Sequence, residues 1–235
     1  MIPENYPGSL QLVGQLHKTL EIKSGALLLD CGCGDGFISN LIRELSGVTV
    51  VGIDIESKKL KRFGSRNITK CVADARYIPF RDGCFDYAVC INVLEHVKES
   101  DNVIQEIART TKKNSKIFLS VPNSYSDTAF FLRRIMQKLD VVASHVKHFR
   151  LTELINLLEN ANFYCYDYYY TSFLLGWLTA FIIVCKKNLA GSINQRITFS
   201  RFLLNGYIEA YAMFELQLFK KFRRCAQVSV YAQKK

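Results

Sequence analysis

The sequence predicts an α/β protein, a three-layer α/β/α sandwich built around a mostly parallel sheet. Three observations predict this class. Short continuous apolar runs such as 26–29 and 48–53 are typical of strands that are buried on both faces. Segments with helical spacing of apolar residues separate these runs, and such alternation predicts a parallel sheet covered by helices on both faces. A glycine-rich turn at 30–36 joins the first strand to a helix.

The predicted elements follow one another along a single domain that covers residues 1–235. Its composition, 49% hydrophobic and 22% charged, is that of an ordinary globular chain with a sizeable core. Pro122 ends the fifth strand, and Asn162 ends the helix before the sixth. Helices are predicted at 9–22, 37–45, 57–63, 98–110 and 151–161, and strands at 26–29, 48–53, 68–72, 84–91, 116–121, 163–170 and 227–232.

The segment 172–224 is both apolar and basic. Residues 173–185 carry no charge but are too few to span a bilayer, and 197–222 has the pattern of an amphipathic helix. Residues 186–235 hold ten Lys or Arg against two Glu, so they carry +8 of the net charge of +10. We expect a helical insertion that serves as a lid or faces an anionic membrane. A solvated basic face is the plainer alternative.

The cysteines predict a reducing compartment. None of the eight lies in a Cys-x-x-Cys pair, and the first residues have neither the basic nor the apolar segment of a secretory signal. We therefore expect reduced cysteines in a cytoplasmic protein. No second pair of ligands follows Cys31 and Cys33 at zinc-site spacing, so no metal site is predicted.

The glycine-rich turn reads Asp-Cys-Gly-Cys-Gly-Asp-Gly from Asp30 to Gly36. Glycine permits a tight turn and lets a ligand approach the backbone closely. The helix that starts at Gly36 offers unpaired N–H groups. The spacing is Gly-x-Gly-x-Gly, whereas a dinucleotide pyrophosphate site has Gly-x-Gly-x-x-Gly. By itself the turn indicates only a nucleotide-type ligand.

Polar residues follow the next three predicted strands. Asp54 ends the second strand, 20 residues after Gly34, where a carboxylate can accept hydrogen bonds from both hydroxyls of a ribose. Asp74 follows the third strand and could accept from the amino group of an adenine. Asn92 and the pair Glu95 and His96 follow the fourth strand. All lie at the carboxyl edge of the predicted sheet, where open α/β sheets bind their ligands.

Four segments in this order resemble the class I, Rossmann-like S-adenosylmethionine-dependent methyltransferases that act on small molecules: LLLDCGCGDG, VVGIDIE, VADARYIPFRDGCFDYAVCINVLEHV and IFLSVPN. The match covers 26–122. Residues 145–163 resemble the segment after strand five of quinone-ring and related O-methyltransferases. The tail resembles the last helix and antiparallel seventh strand of the same family. The resemblance implies a seven-stranded sheet of order 3-2-1-4-5-7-6, with strand 7 antiparallel and 172–224 inserted between strands 6 and 7.

The resemblance also implies where S-adenosylmethionine would bind. Asp30 and the backbone around the first two loop glycines would hold its methionine part. Asp54 would bind the ribose, Asp74 would border the adenine, and Asn92 would lie beside the sulfonium. The full set of expected cofactor-binding residues is Asp30, Cys31, Gly32, Gly34, Gly36, Asp54, Ile55, Asp74, Ala75 and Asn92.

The predicted activity is methyl transfer to an oxygen, or to a nitrogen or carbon, of a small lipophilic or lipid-linked molecule. Methyl transfer needs mainly positioning, but an oxygen acceptor can also need a base. His96, His145 and His148 are the candidates, since histidine titrates near neutral pH. Packing or helix capping is the plainer role for His96. We expect a cytoplasmic protein that lies peripherally on the inner face of a membrane.

The sequence leaves three other functions open. An RNA methyltransferase would use the basic C-terminal region, but no Asn-Pro-Pro-Tyr-like sequence follows strand four, so nucleic acid is the less expected partner. An NAD-dependent oxidoreductase is disfavoured by the glycine spacing. A non-catalytic member that binds only the cofactor or a partner is disfavoured by the intact Asp30, Asp54 and Asp74.

Overall fold

The structure, a computed structural model, describes residues 9–61, 68–124, 145–171 and 227–235. The strands in chain order are β1 (Leu27–Cys31), β2 (Thr49–Asp54), β3 (Thr69–Val72), β4 (Phe85–Ile91), β5 (Thr111–Pro122), β6 (Phe163–Thr171) and β7 (Gln227–Lys234). The helices are α1 (Ser9–Leu20), α2 (Phe37–Ser46), α3 (Ser57–Leu60), α4 (Ser100–Thr110) and α5 (Leu151–Asn160), with a 3-10 turn at Leu94–His96.

The seven strands form one sheet in the order β3-β2-β1-β4-β5-β7-β6. The first five strands are parallel to one another, and β7 runs antiparallel between β5 and β6. The predicted fold class and strand order are therefore confirmed. The central strand β1 is almost wholly buried, which explains why its sequence is a continuous apolar run rather than an alternating one.

Successive residues of the central strand point into two separate core layers. Leu28 packs with the helices α1 and α2 on one face, together with Leu16, Leu20, Phe37 and Ile42. Leu29 packs with α4 and α5 on the other face, together with Val103, Ile107, Leu154 and Leu158. Helices thus cover both faces of the sheet, as the sequence predicts.

Strand β5 begins earlier than the sequence predicts. It starts at Thr111, directly after α4, because the Thr111 hydroxyl donates to the Ile107 carbonyl oxygen at 2.7 Å and ends the helix there. Thr111 pairs with Phe85, but the next pair in register is Tyr87 with Lys116. The predicted start at 116 therefore marks the point where regular pairing with β4 resumes.

The predicted insertion at 172–224 lies outside the described residues, so its helical character stays a prediction. In the part of the chain that the structure describes, no helix is both long and apolar enough to cross a membrane.

The topology brings four strand ends to one edge. Cys31 is paired with Ile53 on one side and with Cys90 on the other, so β1, β2 and β4 end side by side. Strand β3 ends next to Asp54. The loops that follow these strands, including the glycine-rich turn and the 3-10 turn, therefore lie at the same edge, which is where the sequence predicts the site.

Candidate functional site

The glycine-rich turn is fixed to the neighbouring strand and depends on glycine. The amides of Gly32 and Cys33 both donate to the carbonyl oxygen of Ile53, each at 2.8 Å. Gly32, Gly34 and Gly36 have φ angles of 81°, 57° and 88°, a region that residues with a side chain rarely adopt. The Gly-x-Gly-x-Gly spacing thus corresponds to three left-handed positions in one tight turn.

The three glycines differ in what surrounds them. A Cβ atom on Gly32 would lie 2.1 Å from Cγ2 of Val93, and one on Gly36 would lie 2.8 Å from Cε of Lys70. A Cβ on Gly34 would meet nothing within 4 Å. The turn is therefore packed at its first and last glycine and open at the middle one. An open backbone surface of this kind suits a ligand that presses against the chain.

Asp54 holds the turn from the end of β2. One carboxylate oxygen accepts from the amide of Gly34 at 2.8 Å, and the other accepts from the amide of Glu56 at 2.8 Å. A carboxylate has about four lone-pair sites, so two bonds leave acceptor capacity for hydroxyl groups. The 20-residue spacing between Gly34 and Asp54 in the sequence is a direct contact in the structure.

Asp30 lies beneath the turn rather than on its open side. Its side chain is 3% exposed and accepts a hydrogen bond from the hydroxyl of Ser39 on α2. Burial raises the pKa of this carboxyl to about 6, although the Ser39 bond opposes the rise. Ser39 is not among the site residues predicted from the sequence. A serine on the buried face of an amphipathic helix was the signal that could have found it.

Asp74 is engaged in an ion pair that the sequence analysis did not anticipate. The guanidinium of Arg76 bonds both carboxylate oxygens and also reaches Glu99 at 2.8 Å. These bonds lower the pKa of Asp74. An adenine amino group would therefore share the carboxylate with Arg76. Ile55, which is 64% exposed at the same edge, offers an apolar surface to a flat ring.

The remaining expected cofactor residues fall into two groups. Cys31 is fully buried among core residues of the sheet, so it would reach a ligand through its backbone. Ala75 is half-buried at the edge. Asn92 is exposed with a φ of 53°. Its side-chain oxygen accepts a hydrogen bond from the side-chain amide of Gln227 on β7 at 2.6 Å.

The three histidines proposed from the sequence as bases meet at the same edge. The rings of His96 and His145 have centroids 4.9 Å apart, and those of His145 and His148 are 5.8 Å apart. Two backbone amides fix the segment 145–149 here, because Val146 and Lys147 donate to the carbonyl oxygen of Glu95 at 2.8 and 3.2 Å. The structure brings together residues that are about 50 positions apart in the chain.

Glu95 is the residue of this edge whose role the sequence analysis missed. Its side chain is fully buried, and neither carboxylate oxygen has a hydrogen-bond partner among the described residues. Burial raises the pKa of this carboxyl to about 8. Ligand atoms of Glu95, His96 and His145 all lie within 4.8 Å of one another. The sequence expectation of no metal site rested on spacing, and these side chains meet only through the fold.

Comparison with known proteins agrees with this geometry. Residues 9–168, from α1 into β6, match the model of a family described as a methyltransferase domain. The chain belongs to the methyltransferase-domain family. The matched range contains both the glycine-rich turn and the histidines, whereas the basic region at 186–235 lies beyond it. The expected family is thus confirmed.

Curated relatives match the same part of this methyltransferase domain. An uncharacterised protein of Methanocaldococcus jannaschii is 35% identical over 136 residues, which are 53% of this chain and 58% of that protein. The ubiquinone biosynthesis O-methyltransferase of Shewanella pealeana is 30% identical over 156 residues, 61% of this chain and 65% of that enzyme. The chain therefore spans about three fifths of the length of these relatives.

Solved structures share the fold at low sequence identity. A sarcosine dimethylglycine methyltransferase candidate from Galdieria sulphuraria has a TM-score of 0.72 at 14% identity, covering 96% of this chain and 85% of that one. The phosphoethanolamine N-methyltransferase 2 of Haemonchus contortus, in complex with S-adenosyl-L-methionine, has a TM-score of 0.65 at 16% identity, covering 99% and 55%. The [4+2]-cyclase SpnF has a TM-score of 0.64 at 17% identity, covering 96% and 81%. A cyclase with this fold illustrates that the fold alone does not fix the reaction.

Proposed function

We propose that this methyltransferase domain uses S-adenosylmethionine to methylate an oxygen of a small, lipophilic or lipid-linked acceptor, with a nitrogen or carbon acceptor as the alternative. The contact between Asp54 and the Gly34 amide carries the proposal. It joins a carboxylate with spare acceptor capacity to a glycine turn whose middle residue is open. The family membership and the Gly-x-Gly-x-Gly spacing support methyl transfer rather than hydride transfer.

The described residues suit the chemical parts of this cofactor. The open backbone at Gly34 would hold the methionine part, Asp54 would accept from the ribose hydroxyls, and exposed Ile55 would pack against the adenine. When bound, S-adenosylmethionine supplies a methyl group on a positively charged sulfur, so transfer breaks the S–C bond, forms a bond to the acceptor atom and leaves S-adenosylhomocysteine. The buried Asp30 would support the turn from below.

The histidine cluster supports an oxygen acceptor. A hydroxyl group must lose its proton when its oxygen is methylated, and an exposed imidazole can accept a proton near neutral pH. His96 is exposed and His145 is half-buried beside it, so both could face an incoming acceptor. Asn92 directly follows β4 and precedes the 3-10 turn that carries His96. The curated relatives named O-methyltransferases agree with this choice of atom.

The apolar and basic segment supports a lipophilic acceptor and a peripheral position at the inner face of a membrane. Residues 173–185 carry no charge, and 186–235 carry +8. Apolar segments with basic ends suit the surface of an anionic membrane. We expect the full chain to co-sediment with vesicles that contain phosphatidylglycerol but not with pure phosphatidylcholine. Changing Lys220, Lys221, Arg223 and Arg224 to Ala should release it.

A matched control removes the same charge from the described domain. Lys18, Lys58, Lys59 and Lys113 are exposed, and their change to Ala should leave co-sedimentation unaltered. Equal release by both quadruple variants would mean that net charge, not this segment, drives the binding. No binding of the wild-type chain to anionic vesicles would contradict the membrane position.

The acceptor class is tested by transfer of a tritiated methyl group. Purified protein and labelled S-adenosylmethionine, at a concentration that only half-saturates the wild type, are incubated with lipid, soluble and RNA fractions of the source cell. The Asp54→Asn variant is the control with weakened cofactor binding. The proposal predicts label in the lipid fraction that depends on Asp54. Label in the RNA fraction would instead identify the RNA methyltransferase that the basic C-terminal region permits.

A further inference from the structure

Three of the four histidines in the chain meet at one place beside a buried carboxylate. Glu95 and His96 belong to the 3-10 turn after β4, and His145 and His148 come from the segment before α5. The ligand atoms of Glu95, His96 and His145 lie within 4.8 Å of one another. Carboxylate and imidazole side chains, which are both common metal ligands, therefore lie close together here.

The carboxylate of Glu95 has no partner in the described structure. Both oxygens are buried and neither receives a hydrogen bond from a described residue. A carboxyl group buried in this way keeps its proton unless a positive partner or a coordinated metal ion stabilises the ionised form. The arrangement is one that a bound cation would satisfy.

We propose that Glu95, His96 and His145 form a binding site for a divalent transition-metal ion of the Zn²⁺ type. Two imidazoles and one carboxylate are a donor set of catalytic zinc sites and of open iron sites, whereas Mg²⁺ and Ca²⁺ prefer oxygen ligands alone. Zinc ligands lie about 2.0–2.2 Å from the ion, so the cluster would close slightly around it. His96 is exposed and His145 half-buried, which leaves both rings room to adjust.

His148 has a different place in this site. Its ring centroid is 5.8 Å from that of His145, and it does not belong to the close group of ligand atoms. We expect His148 to orient His145 rather than to bind the ion, since metal-binding imidazoles commonly need a partner for the second ring nitrogen. Three protein ligands then leave at least one coordination position open to solvent or to another molecule.

The site lies beside the glycine-rich turn. The side chain of Val93 fills the space where Gly32 would carry a Cβ, and Glu95 follows Val93 by two residues. With His96 and His145 bound to an ion, the ion would take over their role as bases. It would bind an acceptor oxygen and ease loss of its proton, which favours acceptors with two neighbouring oxygens that chelate it. This use of the ion rests on the proposed function, whereas binding of the ion itself does not.

The test is metal binding by the full chain, measured without any methyl acceptor. Protein freed of metal with a chelator is titrated with Zn²⁺ by calorimetry and with Co²⁺ by absorption spectroscopy. We expect one ion per chain. Glu95→Gln and His145→Ala should each weaken binding by more than about 100-fold, because loss of even an outer partner of a metal ligand costs roughly 10–100-fold. His148→Asn should weaken it less.

His17 supplies the matched control, because it is the one histidine outside the cluster and lies on α1, on the other face of the sheet. His17→Gln should leave metal affinity unchanged. Cysteines are the competing ligands, and a thiolate-to-cobalt charge-transfer band would overturn the proposal. So would equal affinity in wild type and Glu95→Gln, or no binding at all.

Binding of S-adenosylhomocysteine to each variant separates the two proposals. Variants that lose the metal but keep this ligand are folded, and they support the metal site whatever the acceptor is. If Glu95→Gln fails to fold, His145→Ala decides the question, since His145 lies in an accessible segment. If the wild-type chain does not bind S-adenosylhomocysteine, the proposed function is contradicted and the metal result remains valid.

Discussion

The two parts of the candidate site satisfy their acidic groups in opposite ways. On the cofactor side, Asp54 accepts from two backbone amides and Asp74 is paired with Arg76. The other part is the cluster of Glu95, His96 and His145, which we call the acceptor side after its proposed role. There, Glu95 is fully buried and has no hydrogen-bond partner among the described residues. The cofactor side is therefore assembled before any ligand arrives. The acceptor side leaves the buried carboxyl group of Glu95 without a partner among the described residues, and a bound cation would supply one.

The difference follows from how each part is built. The cofactor side consists of neighbouring parallel strands and one tight turn, so backbone groups supply most of its contacts. The acceptor side is made where a short 3-10 turn meets the distant segment 145–149, and side chains define it. Backbone geometry suits a constant ligand, whereas side chains can be exchanged to suit different acceptors.

The largest effect is expected from filling the space at Gly32. Gly32→Ala would place a Cβ 2.1 Å from Val93 at a φ of 81°. Left-handed strain costs about 1–2 kcal/mol, and overpacking adds about 1–3 kcal/mol. We therefore expect the free energy of unfolding to fall by roughly 2–5 kcal/mol in denaturant titrations, with S-adenosylhomocysteine binding lost.

Gly25→Ala separates strain from contact at the same backbone angle. Gly25 has a φ of 77°, but a Cβ there would meet nothing within 4 Å. Its replacement should cost only the strain, about 1–2 kcal/mol, and should leave ligand binding intact. Equal losses in the two variants would mean that Val93 does not tie the acceptor side to the turn.

Asp30 should make stability depend on pH. Its pKa is raised by burial from an ordinary value of 3.8 to about 6, so the folded state binds the proton more tightly than the unfolded state. Its contribution is therefore fully favourable below about pH 4 and is lost as the pH rises toward 6. Two pKa units correspond to about 3 kcal/mol, of which roughly 2 kcal/mol falls between pH 4.5 and 7.5.

The measurement compares cofactor-free wild type with Asp30→Asn, which keeps the shape but does not titrate. The difference between their free energies of unfolding should shift by about 2 kcal/mol in favour of the variant from pH 4.5 to 7.5. Ser39→Ala should raise the pKa of Asp30 further, since the serine bond opposes the rise. A difference that is constant with pH would show that Asp30 is not buried as described.

Asp54 is expected to affect binding more than stability. Asp54→Asn keeps one acceptor oxygen for the turn but loses the charge and the second oxygen that would accept from a ribose hydroxyl. A hydrogen bond to a charged group is worth about 1.5–3 kcal/mol. S-adenosylhomocysteine should therefore bind roughly 10–100-fold more weakly in calorimetry. Asp82→Asn is the control, because Asp82 is 79% exposed and forms its ion pair in the described part of the chain with Arg109, at the surface. Unchanged affinity in Asp54→Asn would refute the ribose assignment.

Arg76 should have the smallest effect. Its pairs with Asp74 and Glu99 are partly exposed, and pairs of this kind contribute about 0–1 kcal/mol. Arg76→Ala should therefore change the melting temperature by only about 1–4 °C. The backbone amide of residue 76 still donates to Asp74 in this variant, and the rest of the carboxylate is left to the adenine. Ligand affinity should therefore stay within about tenfold, or about 1.4 kcal/mol. A large loss of affinity would mean that Arg76 itself contacts the ligand.

The two parts also differ in how far the sequence predicted them. The contact between Gly34 and Asp54 could be predicted, because consecutive parallel strands end at one edge and their loops must meet. The ion pair of Asp74 with Arg76 could not, since several neighbouring charges offered equivalent pairings. The burial of Glu95 could not be predicted from the sequence either. It depends on a three-residue turn and on the docking of residues that lie 50 positions further along the chain.

The most direct test of the account is a calorimetric titration of the wild-type chain with S-adenosylhomocysteine and, separately, with NAD. The account predicts one S-adenosylhomocysteine per chain and no binding of NAD, because the open middle glycine and Asp54 form a site without the dinucleotide spacing. Binding of NAD that is lost in Asp54→Asn, with no binding of S-adenosylhomocysteine, would contradict it.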